Sequence, residues 1–276
     1  MGDGRTLVMG VVNLTPDSFF AGSRAETVEG AVHAALALVE EGADLLDVGG
    51  ESTRPGAAPV SEDEERARVL PVIERLVAHT NVPISIDTMK SGVAKAAVAA
   101  GASLVNDISG GLADARMAPV VSGLAVPVIL GHIQGKPATM QNSPSYGDVL
   151  PEIRDALASR VSAFVAAGVE QEAILVDPGI GFGKRPADNA AILGGLQTFA
   201  GLGLPLVLGV SRKRFLGTFL EEAGLPDSGP DGRLEVSLAA AVVAAEGGAA
   251  VVRVHDVGAT RRALAVVEGI GSGRKQ

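Results

Sequence analysis

Short apolar runs that each stop at a polar residue recur along this chain, and between them apolar residues return every three or four positions. Residues 7–12 end at Asn13 and break into Thr15-Pro16-Asp17-Ser18, the pattern of a buried strand feeding a turn. Residues 45–48 end in the polar, glycine-rich segment 49–56; residues 84–86 end at Asp87; residues 104–105 end at Asn106-Asp107. Residues 128–130 lead to His132, residues 174–176 end at Asp177, residues 206–210 lead into Ser211-Arg212-Lys213, and residues 250–252 lead into Arg253-Val254-His255. Each run is short enough for a strand and lacks alternation, as expected of a parallel sheet covered on both faces.

The intervening segments carry helical spacing. Val28, Ala31, Val32, Ala35 and Val39 repeat on one face, and Gly42 supplies a C-cap. Ser61 and Glu64 fit a capping box ahead of Ile73, Leu76 and Val77, with Pro71 expected to break or kink that helix. Further helices follow over residues 93–100, at Ile153, Leu157, Val161 and Phe164, at Ile192, Leu193, Leu196 and Phe199, and over residues 234–245 and 259–267. Residues 134–147 read as a surface excursion or lid, and residues 221–233 as an insertion. Eight strands alternating with helices and no break in composition predict an α/β chain folded as a single (β/α)8 TIM barrel domain spanning residues 1–276.

Composition narrows the function. With 276 residues, 47% of them hydrophobic, a large core is available. A net charge of −9, 3% aromatics and no Trp remove both the basic footprint and the stacking platforms of nucleic-acid binding. The absence of Cys removes disulfides, thiolate nucleophiles and zinc–thiolate sites, and suits a cytoplasmic setting. No apolar run approaches the roughly 18 residues of a membrane span.

In a barrel the carboxyl ends of the strands carry the chemistry. There the chain would gather Asn13, Thr53, Arg54, Asp87, Asn106, Asp107, His132, Asp177, Ser211, Arg212, Lys213, Arg253 and His255. Any single one could be satisfying loop backbone instead. Asp87, Asn106 and Asp177 suit the edge of a nitrogen-rich heterocycle, whereas Lys213, Arg253 and His255, cationic or able to be, suit an anion on strands seven and eight. Asn13 offers an oxygen to Mg2+ beside a phosphate, or simply starts an Asx turn. The glycines over 179–183 lack a Rossmann setting, because a polar segment delays the next helix; His33 and His79 read as surface or packing residues, and Phe215 with Phe219 as core.

With these residues in view, MGVVNLTPDSF, DVGGESTRPG, SIDT, VNDISGG, DPGIGFGK, SRKRFLG and VRVHDV, in this order over residues 8–258, resemble the motifs of the dihydropteroate synthase family. The resemblance implies a TIM barrel, usually a homodimer. It implies Mg2+-dependent joining of 6-hydroxymethyl-7,8-dihydropterin pyrophosphate to 4-aminobenzoate. By matched position it implies Asp87, Asn106, Asp177, Lys213 and Arg253 at the pterin, and Asn13, Thr53, Arg253 and His255 at the pyrophosphate, with Asn13 also at the metal. Thr53, Arg54 and Pro55 on a mobile second loop, with Phe182, Ser211 and Lys213, would meet aminobenzoate. Asp87, Asp177, Lys213, Arg253 and His255 carry the implied catalysis. The chain departs from the family pattern at Phe20-Ala21-Gly22, which lacks the usual Asp, and at Gly131 and Ile133, where Met is common on both sides of His132. Such changes bear on closure over substrate, on the pocket wall and on sulfonamide sensitivity. A non-catalytic pterin-binding paralogue and a methyltetrahydrofolate:corrinoid methyltransferase are the competing readings.

Overall fold

The computed structural model describes residues 5–14, 24–54 and 56–273; the expected turn at Thr15-Pro16-Asp17-Ser18, the departure at Phe20-Ala21-Gly22, and Pro55 lie outside them. Eight parallel strands, β1 (Leu7–Asn13), β2 (Leu45–Gly49), β3 (Ile84–Asp87), β4 (Leu104–Asp107), β5 (Val128–Gly131), β6 (Ile174–Asp177), β7 (Val207–Gly209) and β8 (Val251–Val254), pair in the order β6-β5-β4-β3-β2-β1-β8-β7. A parallel bridge between Val176 and Leu206 joins the two free edges, so the sheet closes on itself. Closure leaves no open strand edge.

Period-two alternation sorts each strand into two faces. Val8 and Val12, Leu46 and Val48, Ile84 and Ile86, Val105, Val128 and Leu130, Ile174 and Val176, Leu208, Val252 and Val254 belong to the large core between barrel and helices. Their sequence neighbours Met9, Ile129, Leu175, Val207 and Val251 form a separate cluster inside the barrel. Above that plug the inward positions turn polar: Asp47, Asp87, Asn106, Asp177 and Arg253. The interior is thus apolar at one end and charged at the other.

The helices are α1 (Arg24–Glu40), α2 (Glu62–His79), α3 (Ser91–Ala99), α4 (Met117–Leu124), α5 (Val149–Ala166), α6 (Pro186–Gly194), α7 (Gln197–Ala200), α8 (Arg214–Glu222), α9 (Leu234–Glu246) and α10 (Val257–Gly273). Gly42 takes φ +98° just after α1, as a C-cap requires. Ser61 Oγ accepts the Glu64 N–H at 3.2 Å at the start of α2. Pro71 lies inside α2 without ending it, so of the expected break or kink the break does not occur. A mid-helix proline costs about 3 kcal/mol, and burying Val69, Val72, Ile73 and Leu76 at about 1.5–3 kcal/mol each outweighs it. The helix expected from Ile192 starts earlier, at Pro186, and divides into α6 and α7. Helices α4 and α8 add to those read from periodicity. On α8, Phe215 is core but Phe219 is 44% exposed, the two rings meeting edge to face at 5.9 Å. No described helix is long and apolar enough to cross a membrane.

The interior plug should carry stability rather than chemistry. Ile129→Ala is expected to lower the unfolding free energy by about 2–5 kcal/mol, measured by urea titration.

Candidate active site

Strand register sets the site. Asn13 lies opposite Gly49, Gly49 opposite Asp87, and Asp87 opposite Asn106, a lateral row across four strands at the mouth of the barrel. Arg253 reaches into this row from β8, its Nε donating to Asp47 Oδ2 at 2.5 Å and its Nη2 to Asp87 Oδ2 at 2.7 Å. Asn106 Nδ2 donates to the same Asp47 oxygen at 3.0 Å. One guanidinium therefore serves two carboxylates, Asp47 fully buried and Asp87 half-buried. Burial pushes the Asp87 carboxyl up, Arg253 pulls it down, and Asp47 pushes it up again. Asp47 Oδ1 is buried with no hydrogen-bond partner among the described residues. The cluster is electron-rich and short of donors, the environment that a heterocycle presenting N–H groups would complete.

Asp47 was not among the residues singled out from the sequence. Its signal was present in parity: 45, 47 and 49 share a face, and a carboxylate midway along an apolar strand needs a partner. Asp107, one residue past Asn106, points outward. Its Oδ1 accepts from Ser109 N at 2.8 Å and Ser109 Oγ at 2.7 Å, and its Oδ2 from Gly111 N at 2.8 Å. It organises the β4–α4 loop and takes no part in the cluster.

Across the mouth, Asp177 Oδ1 accepts the Gly179 N–H at 2.7 Å, and burial pushes its carboxyl up. Lys213 Nζ sits 4.3 Å from the Phe182 ring centroid, a cation–π contact. Burial, reinforced by the charge of Arg253, pulls Lys213 down to about 8, with Asp177 and Asp87 opposing. His255 Nδ1 lies 3.1 Å from Ser211 Oγ, which also accepts the His255 N–H at 3.2 Å. Burial and then Arg253 pull this imidazole down to about 4, so of the two forms open to it the neutral one prevails at pH 7. Arg253 leaves its Nη1 edge without a protein acceptor among the described residues.

Other expected residues separate from this cluster. Thr53 is half-buried and Arg54 exposed on the β2–α2 loop, and their side chains bond to no described residue. His132 is engaged by Lys184 rather than by the Asp47–Arg253–Asp87 cluster. Its Nδ1 lies 3.0 Å from Lys184 Nζ, which also donates to His132 O at 3.2 Å and Phe182 O at 3.0 Å. Buried Lys184 thus fastens the backbone carrying Phe182. Excursion 134–147 is fastened to the same segment by Gln141 Nε2 donating to Gly181 O at 2.7 Å and Tyr146 Oη to Gly183 O at 2.9 Å. Gly131 is required locally, since a Cβ there would lie 2.5 Å from Ile108 Cα.

Among the described residues no three His, Cys, Asp or Glu side chains gather to cage a metal. Half-buried Asn13, whose amide bonds to no described residue, fits the single protein oxygen needed by Mg2+ carried in on a diphosphate.

A (β/α)8 barrel with a carboxylate-rich pocket beside a cationic rim defines an enzyme for a donor-rich heterocycle bearing an anion. The family described as "Pterin binding enzyme" matches residues 9–255, and the chain belongs to it. Its relatives are consistent in kind. A Bacillus subtilis dihydropteroate synthase is 46% identical over 255 residues, covering 92% of this chain and 84% of that protein. A Xanthomonas albilineans dihydropteroate synthase solved with 4-aminobenzoic acid is 47% identical, with a TM-score of 0.89 over 97% of this chain and 93% of that one. A structure of the enzyme from the same organism in complex with 7,8-dihydropteroate is 44% identical, with a TM-score of 0.86 over 97% and 94% of the two chains.

Arg253→Met should strand Asp47 and Asp87 beside one another, at a cost of about 3–5 kcal/mol near neutral pH. Asp87 is an acid pushed up in the folded state, so the loss should shrink as pH falls and Asp87 protonates. Denaturant melts at several pH values check both the size and the sign.

Proposed function

We propose that this chain is a dihydropteroate synthase of folate synthesis, joining 6-hydroxymethyl-7,8-dihydropterin pyrophosphate to 4-aminobenzoate and releasing pyrophosphate. The observation that carries the reading is the Asp47–Arg253–Asp87 arrangement with Asn106 alongside and Asp177 and Lys213 facing it.

An aromatic amine is neutral near pH 7 and keeps its lone pair, so the chemistry asks for departure of pyrophosphate more than for a general base. Asp87, Asn106 and Asp177 hold the pterin by its N–H edge, and Lys213 donates to its carbonyl. Their carboxylates stabilise the positive charge that builds on the methylene as its bond to oxygen lengthens. Arg253, bound on one side to Asp47 and Asp87, turns its free Nη1 edge toward the diphosphate, and the neutral His255 ring, oriented by Ser211, adds a hydrogen bond to the same group. Asn13 would be the protein oxygen that holds Mg2+, which when bound would supply further positive charge to the leaving group. Phe182, Ser211 and the loop carrying Thr53, Arg54 and Pro55 form the aminobenzoate side and exclude water. Exposed Val243 on α9, with Val266 and Ile270 on α10, supports a homodimer, and the lack of Cys supports a cytoplasmic setting.

Purified protein given both substrates and Mg2+ should form 7,8-dihydropteroate. Pterin binding without product would favour the non-catalytic reading, and methyl transfer from methyltetrahydrofolate to a corrinoid protein would favour the methyltransferase. Arg253→Ala is expected to depress turnover by about 100-fold or more, and near-normal rates would remove it from this role. The ammonium of Lys213 is lost as pH rises through about 8, so kcat/KM for the pterin substrate should decline on that alkaline side. Lys213→Met should lack that limb in the pH profile.

A further inference from the structure

The β2–α2 loop carries Thr53 and Arg54, yet neither side chain holds the loop in place; its anchor is Glu51. Glu51 Oε1 accepts the Val60 N–H at 3.0 Å, closing the loop on itself, while its Oε2 accepts from Lys90 Nζ at 2.5 Å. Lys90 is the N-cap residue of α3, three positions beyond Asp87, and its ammonium also donates to Glu65 Oε2 at 2.6 Å. Glu65, in the first turn of α2, is fully buried. Directly before Glu51 the backbone is pressed onto the same helix. A Cβ on Gly50 would lie 2.8 Å from Val69 Cγ1 and 2.9 Å from Glu65 Cγ, and Arg68 Nη1 donates to Gly50 O at 2.7 Å. One cation therefore ties together the loop, α2 and the turn that follows Asp87.

Energetics do not explain this arrangement as packing. Two carboxylates around one ammonium leave a net negative charge in a largely buried place, where apolar side chains of similar volume would be no less stable. Burial pushes the Glu65 carboxyl up, and contact with Lys90 only partly offsets it. What the arrangement supplies is a fixed position for the loop relative to the strand end bearing Asp87.

We propose that Lys90 is a positioning residue for the second substrate: by clamping Glu51 against Glu65 it fixes where Thr53 and Arg54 stand relative to the pocket. The inference rests on the dihydropteroate synthase reading for the identity of that substrate. Lys90 itself touches neither substrate, so its removal should separate the two binding events. The loop should lose its anchor while the Asp47, Asp87, Asn106 and Arg253 cluster is kept.

The test uses the full chain with Lys90→Met, Lys90→Arg, and Lys90→Met combined with Glu65→Gln, the last removing the buried charge that could otherwise prevent folding. Lys90→Met, or the double variant if the single one does not fold, should raise KM for 4-aminobenzoate about tenfold or more. The dissociation constant for pterin pyrophosphate, from titration calorimetry, should change less than about twofold. Hydrogen exchange in segment 51–60 should accelerate in the same variant, and Lys90→Arg should restore both slow exchange and KM. Unchanged exchange in 51–60, an unchanged aminobenzoate KM with only a lower melting temperature, or equal weakening of both substrates would each overturn the proposal. Wild-type protein that makes no dihydropteroate would overturn the functional reading instead, and the exchange measurement would still decide whether Lys90 holds the loop.

Discussion

Arg253 must serve two carboxylates at once, Asp47 from β2 and Asp87 from β3, and much of the barrel mouth depends on that sharing. A single guanidinium cannot fully compensate both, and the Asp87 carboxyl is accordingly pushed up to about 7. That shortfall makes a donor-rich ring a better occupant than water, and it leaves the far edge of Arg253 available to an anion. Substrate recognition and leaving-group stabilisation are thereby joined through one side chain.

The remaining cations divide between chemistry and support. Lys213 stands over Phe182 beside Asp177, close enough to both carboxylate groups for its charge to be held against burial. Lys184 spends its donors on the carbonyls of His132 and Phe182 and on the His132 ring, so it stiffens the glycine segment without entering the pocket. Lys90 does comparable work for the β2–α2 loop. Lys184 and Lys90 thus have hydrogen-bond acceptors, as the cost of an unpaired internal charge demands, whereas Lys213 rests on the Phe182 ring.

Legibility followed the number of independent constraints on each residue. Strand ends such as Asp87, Asn106 and Asp177 were visible because an apolar run that stops at one polar side chain is a strong local event. Asp47 was harder to see because it lies inside a strand, where only the alternation of faces and a partner 206 residues away reveal its role. Asp107 and His132 looked like rim residues by the same local test, and both turned out to bond loop backbone or a neighbouring lysine. Pro71 does not break α2 because its local penalty is real but smaller than the burial along the same helix.

The sequence by itself determined the order of strands and helices, the closed barrel they imply, and the residue types at the strand ends, because hydrophobic periodicity and punctuation act over neighbouring positions. Tertiary structure alone decided which of those polar residues share a counter-charge and which are spent on scaffolding. It also decided which of its two forms His255 takes, since the burial and the nearby charge of Arg253 that pull its imidazole down exist only once the strands have closed. Bonds such as Arg253 to Asp47 or Lys90 to Glu51 depend on barrel register, and register is a property of the whole sheet rather than of any segment.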